Sequence, residues 1–189
     1  MLQVNERILV LNPGDQLPTL TNDSIKLYLG GTMDFSSSNN DWQQKFIEGL
    51  TKLTDPLKGL LMYKNVSWII FNPHVLPTTN LAPNLDNPEF VQTMQWRIQM
   101  MDLADVVFLN IMNKSTSPIP VLEFGTMATS GKLIVRCGEN YQIYSQIRLY
   151  CEKYQIPLLT GKTSVKDVLL AMGSYTQKFQ ELQSLQLPE

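Results

Sequence analysis

Residues 105–137 of the chain read Asp105-Val-Val-Phe-Leu-Asn-Ile-Met-Asn-Lys-Ser-Thr-Ser-Pro-Ile-Pro-Val-Leu-Glu-Phe-Gly-Thr-Met-Ala-Thr-Ser-Gly-Lys-Leu-Ile-Val-Arg-Cys137. The opening segment, Asp105 to Ile111, is almost wholly apolar, which is typical of a short strand buried on both faces in a parallel sheet. A polar loop follows, and the two prolines after it fit the first turn of a helix that ends near Gly131. Lys132 to Cys137 has the pattern of the next strand. The stretch therefore predicts one β-α-β unit.

A single acidic residue, Glu123, lies among the apolar Val121, Leu122 and Phe124 in the predicted helix of this unit. The loop and first helical turn lie at the carboxyl end of a strand, where open α/β sheets form their binding sites. A carboxylate with apolar neighbours at such a place is a candidate for a perturbed pKa. We therefore predict a functional rather than a purely structural role for Glu123.

The alternation of strand and helix patterns extends outward from this unit in both directions. Five segments have the pattern of buried strands, each separated from the next by a helical pattern: Ile25–Leu29, Val66–Phe71, Asp105–Ile111, Lys132–Cys137 and Ile156–Leu159. This order predicts an α/β fold, a three-layer sandwich with a five-stranded parallel sheet in flavodoxin-like order. Residues 1–24, with one candidate strand at Arg7 to Leu11, are predicted to be an N-terminal extension or edge strand, and residues 25–189 a single domain.

The helix predicted from about Glu89 to Leu103 is rich in methionine. Its apolar stripe is predicted to pack in the core and consists of Phe90, Met94, Ile98 and Met101. Trp96 and Arg97 lie partly off this stripe, and the pattern leaves them able to face a site.

Composition and charge exclude several classes of function. The net charge of −2 and the pI near 5.4 give no basic footprint, so duplex nucleic acid is not an expected partner. No apolar run approaches the roughly 20 residues that cross a bilayer, and no signal pattern opens the chain, so we expect no membrane contact and a cytoplasmic location. His74 is the only histidine, and Cys137 and Cys151 have no metal-ligand spacing, so no metal site is expected.

The first central strand ends in the segment Gly30-Gly31-Thr32-Met33-Asp34. Paired glycines let a backbone approach a ligand closely and expose amide donors. The alternative is a plain tight turn, and the glycines by themselves favour this alternative. The segment is neither the dinucleotide-binding fingerprint nor a phosphate loop with its lysine.

Taken in order, the motifs resemble the nucleoside 2-deoxyribosyltransferase-like superfamily over about residues 25–155. The resemblance is closest to a divergent branch in which a Ser-Pro-Ile segment precedes a Leu-Glu-x-Gly helix. The segments that carry it are Tyr28-Leu-Gly-Gly-Thr-Met-Asp34, Trp42-Gln43 with Phe46, Trp96, Ala104-Asp105-Val-Val-Phe, Ser117-Pro118-Ile119, Leu122-Glu123-Phe124-Gly125 and Gly131-Lys132.

The resemblance implies that Glu123 is a nucleophile that attacks the anomeric carbon of a 2′-deoxynucleoside and forms a covalent deoxyribosyl-enzyme. A carboxylate suits an oxocarbenium-like transition state, as in retaining glycosidases. We expect Glu123 to lie in the first turn of its helix, where the helix dipole favours its ionised form. The resemblance also implies a substrate-binding mouth, with no cofactor, formed by Tyr28, Gly30, Gly31, Thr32, Met33 and Asp34.

Two positions depart from the family pattern. Ser117 stands where many transferases have an aspartate six residues before the nucleophile, and serine is a poor proton donor at neutral pH. Arg97 follows Trp96 where the family tends to have an acid, and a cation there could contact a phosphate or pair with an acid such as Glu123. Both residues are candidate substrate-binding residues.

These departures leave several functions open. The chain could transfer deoxyribose between bases, or hydrolyse the N-glycosidic bond of a deoxynucleoside or its 5′-phosphate. A non-catalytic nucleotide-binding module and a nicotinamide-dinucleotide glycosidase are the alternatives. Related enzymes assemble so that a neighbouring subunit completes each pocket, so the resemblance also implies a homo-oligomer that binds a small nucleoside or nucleotide.

Overall fold

The computed structural model describes residues 2–5, 7–20, 23–32, 42–55, 66–74 and 82–175. In these ranges strands and helices alternate along most of the chain. In chain order the elements are β1 (Leu2–Asn5), β2 (Ile8–Leu11), β3 (Ser24–Gly31), α1 (Trp42–Leu53), β4 (Ser67–Phe71), α2 (Pro88–Leu103), β5 (Val106–Ile111), α3 (Ile119–Met127), β6 (Leu133–Cys137), α4 (Tyr144–Tyr154), β7 (Leu158–Leu159) and α5 (Val165–Tyr175).

The strands form one sheet in the order β1-β2-β4-β3-β5-β6-β7. The strands from β3 onward correspond to the five predicted ones, and their spatial order is 2-1-3-4-5, which is the flavodoxin-like order. That prediction is confirmed, whereas the count of five strands is wrong for the whole sheet. Two short strands from the first 24 residues extend the edge beside β4: β2 pairs with β4 in parallel, and β1 pairs with β2 antiparallel.

Helices cover both faces of the sheet and give the predicted three layers. Successive strand residues point to opposite faces, so Tyr28 and Leu109 belong to one hydrophobic cluster and Leu27 and Phe108 to the other. The first cluster is completed by residues of α2, α3 and α4, among them Met100, Phe124 and Ile147. The second is completed by residues of α1 and α5, among them Phe46, Leu50 and Leu169.

The chain leaves β3 and β5 in opposite directions, although these two strands are neighbours. Helix α1 leads from β3 to β4 on one side, and α3 leads from β5 to β6 on the other. Open α/β sheets bind ligands at such a switch point, in the crevice beyond the carboxyl ends of the two strands. The topology therefore places the candidate site beyond Gly31 of β3 and Ile111 of β5.

Helix α2 buries a different face from the predicted stripe. Its buried residues are Thr93, Arg97, Met100 and Met101, and Ile98 is 54% exposed. The prediction for Met101 is confirmed and that for Ile98 is wrong. The physical reason is that a charged side chain, Arg97, occupies the inward face, and hydrophobic periodicity assigns charged residues to the outside.

Candidate functional site

Glu123 of α3 lies against the end of β3, with only 4% of its surface exposed. Its Oε1 atom accepts a hydrogen bond of 2.8 Å from the Tyr28 hydroxyl. Its Oε2 atom accepts one of 2.9 Å from the backbone N–H of Gly31. Each carboxylate oxygen has two acceptor positions, so both oxygens are oriented while each keeps a lone pair for further contact.

Glu123 was predicted to lie in the first turn of its helix, and this is wrong. The helix begins at Ile119, has no acid in its first turn, and Glu123 is one turn further along. The free amides of a helix N-terminus are confined to that first turn, so they do not hold this carboxylate. The donors that hold it come instead from β3, which lies more than 90 residues earlier in the chain.

Burial and neighbouring charges act on both members of the Glu123–Tyr28 pair. Burial raises the pKa of Glu123. The charge of Arg97 and the hydrogen bonds from Tyr28 and Gly31 lower it, but the effect of burial is larger. Burial and the charge of Glu123 together raise the pKa of Tyr28 well above its usual value. Tyr28 therefore stays protonated and donates, while Glu123 accepts.

Arg97 lies close enough to this pair for its charge to influence both side chains. It is 6% exposed, and it lowers the pKa of Glu123 and of Tyr28 against the stronger effect of burial. Its Nη1 atom also lies 3.9 Å from Met94 Sδ. The two roles predicted for Arg97, contact with a phosphate and pairing with an acid such as Glu123, stay predictions.

The two glycines belong to the end of β3, where no side chain fits. At Gly30 an added Cβ would lie 2.8 Å from Glu123 Oε2. At Gly31 φ is +113°, and an added Cβ would collide with the backbone of Asn110. The absence of side chains thus lets Gly30 approach the carboxylate of Glu123 and Gly31 approach the backbone of Asn110. The approach of this backbone to a ligand stays a prediction.

A Gly31→Ala substitution is expected to lower the free energy of unfolding by about 3 kcal/mol, because it combines a strained φ with overpacking. Urea denaturation measures the change. Gly131→Ala is the matched control, since φ there is +69° and nothing lies within 4 Å of an added Cβ. Its cost is expected to be about 1 kcal/mol, from backbone strain alone. Equal losses in the two variants would contradict the close approach at Gly31.

Thr32 links the end of β3 to β5 and α1, and it is buried. Its N–H donates to Asn110 O at 2.8 Å, and its Oγ1 atom accepts from the N–H of Met112 at 3.0 Å. Its carbonyl oxygen accepts from Trp42 Nε1 at 2.8 Å. Thr32 therefore fixes the walls of the switch point, and Met33 and Asp34, predicted beside it, lie outside the described residues.

Ser117 precedes α3 on the same loop and helix unit as Glu123. Its Oγ accepts a hydrogen bond from the N–H of Ile119 at 3.3 Å, which is a local turn that starts the helix. No hydrogen bond joins Ser117 to Glu123 or to Tyr28, all three of which are among the described residues.

Sequence reasoning did not identify Asn110 as a residue of this region. It occupies the strand position paired with Gly31, and its backbone leaves no room for a side chain there. The available signal was a polar residue near the carboxyl end of an otherwise apolar strand.

Neither metal ligands nor reactive thiols were found in the described ranges. No group of histidine, cysteine, aspartate and glutamate side chains there could hold a metal ion. Cys137 and Cys151 are buried and free, and burial raises their pKa values to about 11 and about 12. Both are therefore thiols at neutral pH rather than thiolates.

None of the helices in the part of the chain that the structure describes has the length and apolar content needed to cross a lipid bilayer.

Comparison with known proteins supports the resemblance in the order of motifs. No curated protein matches the chain. The family model described as "Nucleoside 2-deoxyribosyltransferase like" matches residues 24–141, well over half of the 189 residues, and this range includes β3, α3 and the Glu123–Tyr28 pair. The chain therefore belongs to the nucleoside 2-deoxyribosyltransferase-like family.

Proposed function

We propose that this protein is an enzyme that cleaves or transfers at the N-glycosidic bond of a 2′-deoxynucleoside or its 5′-phosphate, with Glu123 as the nucleophile. The observation that carries the proposal is the buried carboxylate of Glu123, oriented by Tyr28 and the Gly31 N–H at the switch point of the sheet. Membership of the family supports the class of reaction.

In the proposed reaction a Glu123 carboxylate oxygen attacks C1′ of the sugar. The C1′–N bond breaks, its electron pair leaves with the base, and the base takes up a proton. In the second step an acceptor base or water attacks C1′, loses a proton and releases the carboxylate. Tyr28 and the Gly31 amide fix the carboxylate in both steps, which lowers the entropic cost of reaching the attacking geometry.

The proton of the leaving base is the point at which this chain departs from the family pattern. The Ser117 hydroxyl oxygen already accepts from Ile119 N–H, and its hydrogen can still be donated to the base. Because a serine hydroxyl is a weak acid, we expect it to assist by hydrogen bonding, with water supplying the proton.

Chromatography of reaction mixtures tests the proposal. The purified protein is incubated with each 2′-deoxynucleoside and each 5′-phosphate, with and without a free acceptor base. Base released without an acceptor identifies a hydrolase, and base exchange that needs an acceptor identifies a transferase. If no substrate gives either product, the proposal is contradicted and the nucleotide-binding module is favoured. Release of nicotinamide from a nicotinamide dinucleotide would favour the nicotinamide-dinucleotide glycosidase.

We also propose that the protein assembles as a homo-oligomer through α3 and α4. Large apolar side chains are exposed on these two helices: Leu122, Leu149, Tyr150 and Tyr154. Exposed apolar side chains on neighbouring helices are favourable to bury between subunits.

A Leu149→Glu substitution is expected to shift the molar mass measured by sedimentation toward that of one chain, because Leu149 is 64% exposed on α4 and a buried charge opposes association. Leu170→Glu is the matched control, since Leu170 is 51% exposed on α5, in the opposite layer. A wild-type mass of a single 21.5 kDa chain would contradict the proposal.

A further inference from the structure

A cavity of about 350 Å³ lies on the α1 and α5 side of the sheet, at the carboxyl ends of β5 and β6. Glu123 lies on the other side, with the cluster that contains Tyr28 and Leu109. The cavity's volume is near the lower end of the range for small-ligand sites, roughly 300–1,000 Å³. We call it the Arg136 cavity. The residues that line it include Trp42, Lys45, Phe46, Phe108, Asn110 and Arg136.

Aromatic rings form the apolar wall of the Arg136 cavity. Trp42 and Phe108 pack edge to face with their ring centroids 5.8 Å apart, and Phe46 and Phe108 are 5.5 Å apart. The hydrogen bond from Trp42 Nε1 to Thr32 O fixes the indole ring. These contacts orient the rings against one another, and an aromatic surface suits a planar ring.

Another part of the lining carries positive charge in a fixed orientation. Arg136 donates from Nη1 to Asn110 Oδ1 and from Nη2 to Gly161 O, each at 3.0 Å. Both acceptors are neutral, so they orient the guanidinium without neutralising its charge. Lys45 adds a second cationic side chain. An oriented guanidinium presents its remaining N–H groups in the geometry that phosphate prefers.

No acidic residue is among the described residues that line the Arg136 cavity. Asp167, on the first turn of α5, is engaged in capping that helix, where it accepts from Ser164 N–H at 2.8 Å and from Ser164 Oγ at 2.7 Å. The cavity therefore combines positive charge with aromatic surface, and it is complementary to an anion that carries a planar group.

The Arg136 cavity is connected to the Glu123 site through one strand pair. Asn110, which orients Arg136, is paired in register with Gly31, whose N–H holds Glu123. The two places lie on opposite faces of β3 and β5, at the same carboxyl edge.

We propose that the Arg136 cavity binds the phosphate group of a nucleotide, with Arg136 and Lys45 as its cationic contacts. The inference rests on the proposed function in choosing a nucleotide as the phosphate ester. The phosphate belongs either to the 5′ end of the substrate itself or to a second nucleotide bound beside it.

Calorimetric titration tests this inference without requiring turnover. Each 2′-deoxynucleoside 5′-phosphate, and each matching deoxynucleoside, is titrated into a Glu123→Ala variant, which cannot consume it by the proposed route. The nucleotide is expected to bind about tenfold more tightly than the nucleoside, and Arg136→Gln in the same background is expected to remove that difference. Binding of one nucleotide per chain identifies the substrate's own phosphate, and binding of two identifies a second nucleotide.

Two further variants keep the test independent of a folding defect. Lys45→Gln, at an exposed position, is expected to reduce the difference between nucleotide and nucleoside. Lys166→Gln is the control, since it removes the same charge from an exposed position on α5 that does not line the cavity. Equal affinities for nucleotide and nucleoside, or a preference unchanged by Arg136→Gln and Lys45→Gln, would overturn the phosphate site. Because the readout is binding, this result is distinct from a failure to cleave the N-glycosidic bond.

Discussion

Replacing Glu123 with alanine or glutamine is expected to lower the rate of base release or exchange by at least about a thousandfold, the scale typical of removing a covalent nucleophile. Neither side chain can attack C1′ and form the ester intermediate. Glutamine keeps the size of the side chain and an oxygen that can accept from Tyr28 or Gly31, so the fold should be retained. Single-turnover chromatography measures the rate, and thermal unfolding shows whether the variant is folded.

The matched control for this prediction is Asp102→Asn, which neutralises an exposed carboxylate near the end of α2, at the edge of the sheet opposite to the site. It makes the same change in net charge and should leave the rate within about twofold, as expected for a surface site away from the chemistry. A Glu123→Gln variant that is folded and retains the wild-type rate would show that another group attacks the sugar, and the proposed mechanism would be wrong.

The architecture could be predicted because the signals that determine it are local. The apolar runs that became β3 to β6 are buried on both faces, and periodicity detects such strands without knowledge of their neighbours. The boundaries differ by a few residues: the strand predicted at Lys132–Cys137, for example, begins at Leu133. β1 was not predicted because its four residues, Leu2–Asn5, gain their order from pairing with β2 at the sheet edge.

The arrangement of the site could be predicted only in part, because its contacts join distant parts of the chain. Glu123 was identified from its apolar context, and Tyr28 and Gly31 from the resemblance to a family. To predict that Tyr28 and Gly31 both bind the carboxylate of Glu123, one would have needed to know the strand order. The same holds for Arg97, whose charge acts on Glu123 of another helix, and for Arg136, which Asn110 and Gly161 orient. Local hydrophobic patterns contain no information about such partners.

Replacing Tyr28 with phenylalanine is expected to slow the reaction by about a hundredfold at neutral pH, near the upper end for a hydrogen bond to a buried charged group. The substitution removes the hydroxyl that donates to Glu123 Oε1 and leaves the ring packed in the core. Tyr28 acts here as a positioning residue, because it holds the nucleophile. Tyr144→Phe, which removes the hydroxyl of a partly buried tyrosine on α4 outside the proposed subunit interface, is the control and should have no effect.

The pH dependence of kcat/KM separates this role of Tyr28 from a general packing effect. Burial raises the pKa of Glu123, and the hydrogen bond from Tyr28 lowers it, so loss of that bond must raise the pKa further. Only the ionised carboxylate attacks, so kcat/KM falls as pH falls through this pKa, and the fall should occur at a higher pH in Tyr28→Phe than in the wild type. Part of the lost rate should return above the new pKa, where Glu123 is ionised again. A uniformly lower profile with an unshifted acid limb would instead mean that Tyr28 acts on the substrate or on packing, and not through the ionisation of Glu123.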